Sequence, residues 1–398
     1  MTDFTKTRLM FDLPEGMTYL NGNSLGPMPK AAPDRILDFM HNEWASELIR
    51  GWNSKGWYRQ TNTLGDRIGR LVGAEPDSIV VGDSLSIRIF QAVAACLALR
   101  PDRKVILSDK GNFPTDLYMV EGLMKLKAAG YELLTPEPED VMARIDDDVA
   151  CVMLTEVDYR TGRKHDMRAV IDRAHEAGAL VVWDLAHSAG AIPVDLSGDG
   201  ADFAAGCTYK FLNGGPGAPA FIYVAPRLID EVEPALSGWF GHAAPFDFDL
   251  EYRPMPEKID RMRIGTPSIA SFALLDAALD VWEGVDLQDL RTRSVALMTQ
   301  FIDGIEARCP GLTLAGPRDM AARGSHVSFR FDHGYPFMQA LIDQQVIGDF
   351  RAPDIMRFGI TPLFIGEEDI ARAVDVMEGI LKGETWKEQR FQERGAVT

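Results

Sequence analysis

Between residues 75 and 226, short apolar runs alternate with stretches whose hydrophobic positions recur at helical spacing. Ser78–Gly82 leads into an amphipathic stretch, Ile87–Leu99; Lys104–Ser108 leads into Leu117–Ala129, and Ala150–Leu154 into Met167–Gly178. Ala179–Trp183, Phe203–Cys207 and Ala220–Val224 complete the series of strand-like runs. β-rich runs spaced by helices predict an α/β unit, a mainly parallel sheet with helices on both faces. Ligands of such sheets bind beyond the carboxyl ends of the strands, so the loops after these runs are where chemistry is expected. From Ser268 the texture changes. Ala270–Trp282 and Leu287–Arg308 read as long helices, Leu312–Leu314 and Val327–Phe331 as short strands, and Pro336–Gln345 and Glu367–Lys382 as further helices. That pattern predicts a smaller α+β domain.

A chain of 398 residues exceeds the length at which one hydrophobic core stops growing, which agrees with two domains. Residues 1–45 are expected to pack with the small domain, residues 46–267 to form the large one, and residues 268–398 the small one. The polar tail, residues 384–398, is expected to fray. No window approaches twenty apolar residues, and the start Met1-Thr-Asp-Phe-Thr-Lys6 lacks the basic-then-apolar order of a secretory signal. The expectation is a cytoplasmic protein with no membrane contact. A formal charge of −18 argues against nucleic acid or an anionic membrane as partner. An anionic ligand must then be captured by a local basic pocket. Cys96, Cys151, Cys207 and Cys309 are scattered through apolar surroundings without a Cys-x-x-Cys pair, so neither a disulfide framework nor a metal site is expected.

Several loops after the strand-like runs carry reactive groups. Asp184 ends an apolar run and is followed by His187, placed to lie against that carboxylate or over a ring. Lys210 follows Tyr209 and precedes Gly214-Gly-Pro-Gly217, a turn that lets backbone approach a ligand closely. A partly desolvated lysine amine forms Schiff bases, and a carboxylate after a buried strand can keep a pyridinium nitrogen protonated. Pyridoxal 5′-phosphate requires both from its protein, and it is the cofactor these two residues point to. Phe113 of Phe113-Pro-Thr-Asp116 is placed to stack on a ring face, with Asp116 orienting a polar group. Gly82-Asp-Ser-Leu-Ser-Ile87 joins a strand to a helix, where N–H groups and the Ser84 or Ser86 hydroxyl suit a phosphate; a serine N-cap is compatible with the same role. Tyr209 is a candidate phosphate ligand and proton donor. Arg357 interrupts an apolar run, Ile355–Leu363, and suits bidentate capture of a carboxylate.

With these residues in view, the chain closely resembles the kynureninases, fold-type I pyridoxal phosphate hydrolases of the aminotransferase class V group. The resemblance runs through Tyr19-Leu-Asn-Gly-Asn-Ser-Leu-Gly26, Gly51-Trp-Asn-Ser-Lys-Gly-Trp57, Phe113–Asp116, Trp183–His187, Tyr209-Lys210, Gly238-Trp-Phe-Gly-His242, Arg263-Ile-Gly-Thr-Pro267 and Arg357. It implies the PLP-dependent transferase fold, with a large mainly parallel-sheet domain and a smaller α+β C-terminal domain. By its implication Lys210, Tyr209 and Asp184 are catalytic. Leu85, Ser86, Phe113, Asp116, Thr155 and His187 join them as cofactor contacts, while Trp239 and Thr266 reach the phosphate of a neighbouring subunit, which implies a homodimer. Arg357, Asn23, Trp52 and Gly265 are implied at the substrate. Gly265-Thr266 and Trp52, where vertebrate-type members carry Ser-Asn and histidine, resemble bacterial members that prefer L-kynurenine to its 3-hydroxy derivative. The implied reaction is hydrolysis of L-kynurenine to anthranilate and L-alanine. The alternatives are another class V enzyme, such as a cysteine desulfurase or an epimerase, and a degenerate binding module.

Overall fold

The computed structural model describes residues 1–128 and 130–393. The expected end of the second helix at Ala129 and residues 394–398 of the polar tail lie outside the described residues; that helix spans Pro114–Lys127. After a short strand, β1 (Thr18–Tyr19), seven strands build the main sheet. They are β2 (Ile79–Val81), β3 (Val105–Leu107), β4 (Glu132–Leu134), β5 (Val149–Thr155), β6 (Leu180–Asp184), β7 (Phe203–Gly206) and β8 (Phe221–Val224). Their order is β2-β8-β7-β6-β5-β3-β4. All neighbours from β7 to β4 pair in parallel, and β8 runs antiparallel to both β7 and β2. Every residue of β5 and β6 is buried, which is why their sequences carry no polar–apolar alternation.

The expected mainly parallel sheet is therefore present, with two elements added. β4 is an edge strand with one exposed and two half-buried residues, too short and polar to stand out. The helix Trp57–Val72 carries interior glycines that weaken the helical signal. Those glycines have a packing reason: a Cβ on Gly65 would collide with the Ile79 carbonyl of β2. The Thr61 hydroxyl also donates to the Val81 carbonyl. Helix and strand thus sit closer than ordinary side chains allow.

A second sheet follows, from β9 (Thr313–Leu314), β10 (His326–Arg330), β12 (Asp349–Arg351) and β13 (Ile355–Gly359), antiparallel throughout in the order β12-β13-β10-β9. The helices Leu287–Arg308 and Glu367–Lys382 pack on each other, and the first also meets β10. One continuous apolar cluster joins Val152 and Trp183 of the large sheet to Phe329 and Phe358 of the small one.

The N-terminal segment ties the two sheets together. β1 pairs in parallel with β11 (Val346–Ile347), and the Leu20 carbonyl accepts from Gly359 N–H at 2.7 Å. Six residues later the Gly26 N–H donates to the Tyr209 carbonyl at 2.9 Å. A side chain at position 26 would strike the Lys210 and Asn213 backbone, so glycine is required for this approach. No helix among the described residues is long and apolar enough to cross a membrane.

Candidate active site

The carboxyl ends of β5 and β6 set the floor of the site. Thr155 and Asp184 are register partners at the last rung of that pairing. The helix Leu85–Leu99 starts beside them; Gly82, with φ +155°, and Asp83, with φ +54°, turn the chain from β2 into it. The loop between the antiparallel strands β7 and β8 carries Tyr209 and Lys210. Together these elements enclose a cavity of about 210 Å3. Leu85, Ser86, Phe113, Asp116, Thr155, Asp184, His187, Tyr209, Lys210 and Arg357 all line it. A larger cavity, about 620 Å3, lies by Leu25 and Gly26 and is walled mainly by apolar groups such as Met17, Met28 and Leu274. It offers no comparable convergence of charged side chains.

Asp184 is 2% exposed. Its Oδ1 accepts from the Ala186 N–H at 2.8 Å. The single Thr155 hydroxyl proton serves two acceptors, Asn112 Oδ1 at 2.5 Å and Asp184 Oδ2 at 3.2 Å. Asp184 Oδ2 thus keeps capacity for another donor. Burial raises the Asp184 carboxyl above its usual range, opposed by the charge of Lys210 and by the Ala186 and Thr155 hydrogen bonds. Asp116 is equally buried, its Oδ2 has no partner, and burial with the neighbouring Asp184 pushes it well up. Two adjacent buried carboxyl groups, each with an oxygen able to accept a further hydrogen bond, form a site that a cationic ring nitrogen relieves. The residues present therefore fit a pyridinium.

Lys210 Nζ lies 3.1 Å from His187 Nε2. His187 is buried, its Nδ1 has no partner, and its pKa falls well below the usual value, through burial first and then the charges of Lys210, Arg357 and His326. The imidazole is accordingly neutral beside the amine. Tyr209 is raised by burial and by its neighbour Cys207, so its phenol keeps its proton at any ordinary pH. Phe113, which lines the cavity, packs against the Tyr159 ring in a T-shaped contact, centroids 5.1 Å apart.

Glu156, next to Thr155, is fully buried, and its Oε2 has no partner. Burial, only partly offset by the nearby Ser188 hydroxyl and then by the charge of Lys164, raises it from 4.5 to about 7. The folded chain thus keeps a proton that the unfolded chain releases between pH 4.5 and about 7. Stability should fall as pH rises through that window, by up to roughly 3 kcal/mol. Denaturant unfolding at about pH 5 and about pH 8 checks this. Glu156→Gln should lose less stability than the parent between the two, and an unchanged loss would refute the assignment.

The remaining expected residues lie elsewhere on this chain. Asn23 does not reach the cavity: it is fully buried under Gly359, whose missing side chain makes room for it, and Ser24 lines the cavity instead. Trp52, Trp239, Gly265 and Thr266 collect on a separate patch. Trp239 stacks on Phe240 at 3.9 Å, Trp52 meets the same ring at 5.6 Å, and the Phe240 N–H donates to the Ile264 carbonyl just before Gly265. Trp239 is 40% exposed, and Thr266 is exposed. Sequence reasoning missed Tyr159, Arg351, Ser24 and Thr115, which also face the cavity. Ser24 lay within a quoted motif. Arg351 and Tyr159 gave no signal, because only the meeting of the two sheets brings them to the site.

Comparison with known proteins bears on the family and the fold. Residues 290–377 match the family model "Kynureninase C-terminal domain". The kynureninase of Pseudomonas fluorescens is 48% identical over 98% of this chain and 95% of its own. Among solved structures, the apo cysteine desulfurase of Thermococcus onnurineus superposes with a TM-score of 0.82 at 20% identity, covering 96% of this chain and 99% of its own. A cystine C-S lyase variant with glycine covalently linked to its PLP cofactor gives 0.77 at 18% identity, over 94% and 100% of the two chains. Those two likenesses show the shared fold. Identity near one half across almost all of both chains says more, and the chain belongs to the kynureninase family.

Proposed function

We propose that this chain is a pyridoxal phosphate-dependent hydrolase that cleaves the Cβ–Cγ bond of L-kynurenine to give anthranilate and L-alanine. 3-Hydroxykynurenine would be a poorer substrate, and the reaction would serve tryptophan breakdown in the cytoplasm. The observation that carries this reading is one cavity lined by Lys210, Asp184 and Arg357 in a chain of this family. When bound, pyridoxal phosphate supplies a cationic ring that withdraws electrons from an attached amino acid.

The chain's own groups divide the remaining work. Lys210 provides the amine that attaches the cofactor and afterwards carries protons, with neutral His187 beside it as a hydrogen-bond partner. Asp184 Oδ2 holds the proton on the ring nitrogen, and Phe113 covers a ring face. The free N–H groups at Leu85 and Ser86, at the start of a fifteen-residue helix, take the phosphate. Tyr209, kept protonated, is the acid that assists addition of water to the γ-carbonyl. Arg357 holds the α-carboxylate.

The separate patch fits a second role. Trp239 and Thr266 would complete the phosphate site of a neighbouring subunit, while Trp52 and Gly265 would form part of an aryl pocket, making the protein a homodimer. The pairing of β1 with β11 supports grouping residues 1–45 with residues 268–398 around a large domain of residues 46–267. A desulfurase needs a mobile, accessible cysteine, and all four cysteines here are buried.

Holoenzyme mixed with L-kynurenine should release anthranilate, followed by its fluorescence, and sedimentation should give twice the chain mass. Sulfide from L-cysteine without anthranilate from kynurenine would overturn the assignment.

A further inference from the structure

The wall contributed by the small sheet holds more positive charge than one arginine. Asp349 and Arg357 are register partners across β12 and β13, and Arg351 lies two residues along β12 on the same face. Asp349 is buried, and its carboxylate pairs with both guanidinium groups. Arg357 Nε and Nη2 donate to it at 2.8 and 2.5 Å, and Arg351 Nη2 at 2.7 Å. Arg357 has few donors to spare, since Nη1 also bonds the Tyr159 carbonyl at 2.5 Å and Nη2 the Ser24 hydroxyl at 2.7 Å. Arg351 is better supplied: its Nε is buried with no partner, and its side chain is 37% exposed. Two cations share one anion, so the pair retains one uncompensated positive charge on the cavity.

The donors converge on one atom. Ser24 Oγ accepts from Arg357 Nη2 at 2.7 Å and from Arg351 Nη2 at 3.3 Å, and it donates to Asp349 Oδ2 at 2.5 Å. Ser24, Arg351 and Arg357 all line the cavity. We propose that Arg351 is a second substrate-binding residue, whose guanidinium and that of Arg357 form a clamp for the α-carboxylate beside Ser24 Oγ. An incoming carboxylate supplies the missing negative charge and accepts charge-assisted bonds from two directions. A single arginine already tied to Asp349, Ser24 and Tyr159 would offer much less. The inference rests on the reading above only in taking an α-amino acid as substrate.

The test compares the parent holoenzyme with Arg351→Gln and Arg351→Lys, using L-kynurenine and its carboxamide. Arg351→Gln should raise KM for kynurenine on the order of 10- to 100-fold, with kcat changed by less than about threefold. Arg351→Lys, which keeps the charge without the fork, should fall between. The carboxamide should react alike with all three proteins. An unchanged KM, or an equal loss with carboxylate and carboxamide, overturns the clamp. Calorimetric titration of the same proteins with L-alanine and L-alaninamide needs no turnover. The parent should prefer alanine, and Arg351→Gln should lose most of that preference; a preference that survives the substitution also overturns the clamp. If the preference behaves as expected while kynurenine is not cleaved, the clamp stands and the assigned reaction falls.

Discussion

Lys210→Ala should lower turnover of kynurenine by roughly 10⁴-fold or more, because one side chain is asked to be both the attachment point and the proton carrier. Proton transfer by a positioned group is alone worth about 10²–10⁴-fold. The basic group that contacts that amine among the described residues is His187, 3.1 Å away, and it is a buried neutral imidazole. A second consequence is electrostatic. The Lys210 charge lowers both Asp184 and Asp116, so its removal should push these two carboxyls further up. Borohydride reduction of the parent holoenzyme should fix the cofactor on the peptide that contains Lys210. The variant should take no such label and should lose its cofactor on dialysis. A label on another lysine, or activity above about one percent of the parent's, a loss smaller than the roughly 10²-fold minimum for a positioned proton carrier, would sink the assignment.

Asp184→Asn should retain the fold and lose about 10²- to 10³-fold in kcat/KM, the scale of removing one preorganised charge-stabilising contact. The amide oxygen can still accept from the Ala186 N–H, so the loop geometry is preserved. What disappears is the negative charge that holds a proton on a ring nitrogen. Because burial already penalises that charge, the substitution should leave thermal stability equal to the parent's or higher. A cofactor analogue with a permanently charged, N-methylated ring should recover part of the lost rate in the variant. Full activity with the ordinary cofactor, or no recovery with the analogue, would show that Asp184 acts otherwise.

Much of this arrangement was legible along the chain, for identifiable reasons. β5 and β6 are buried on both faces and so announce themselves as uninterrupted apolar runs. A polar residue at the end of such a run, as Asp184 is, stands out against it, whereas Thr155 was named only through family resemblance. The helix Trp57–Val72 was hidden because its glycines serve contact with β2 rather than helix propensity. Asp349 and Arg351 look like an ordinary charged edge strand until β13 and the Ser24 loop are laid against them. The patch of Trp52, Trp239, Gly265 and Thr266 was readable only through family resemblance. Its residues come from three distant segments, and no local pattern joins them.

Ser24 and Arg357, which share a hydrogen bond on the cavity wall, are 333 positions apart in the chain. Between them the Gly26 N–H fastens the lysine loop from the side of the N-terminal segment. A cavity walled this way is not complete on a half-synthesised polypeptide, since its last wall emerges only after β13 has been translated. The early-made lysine therefore waits, without its finished enclosure, until the late-made arginine arrives. Assembly order thereby delays completion of the wall that takes a carboxylate until β13 has been made.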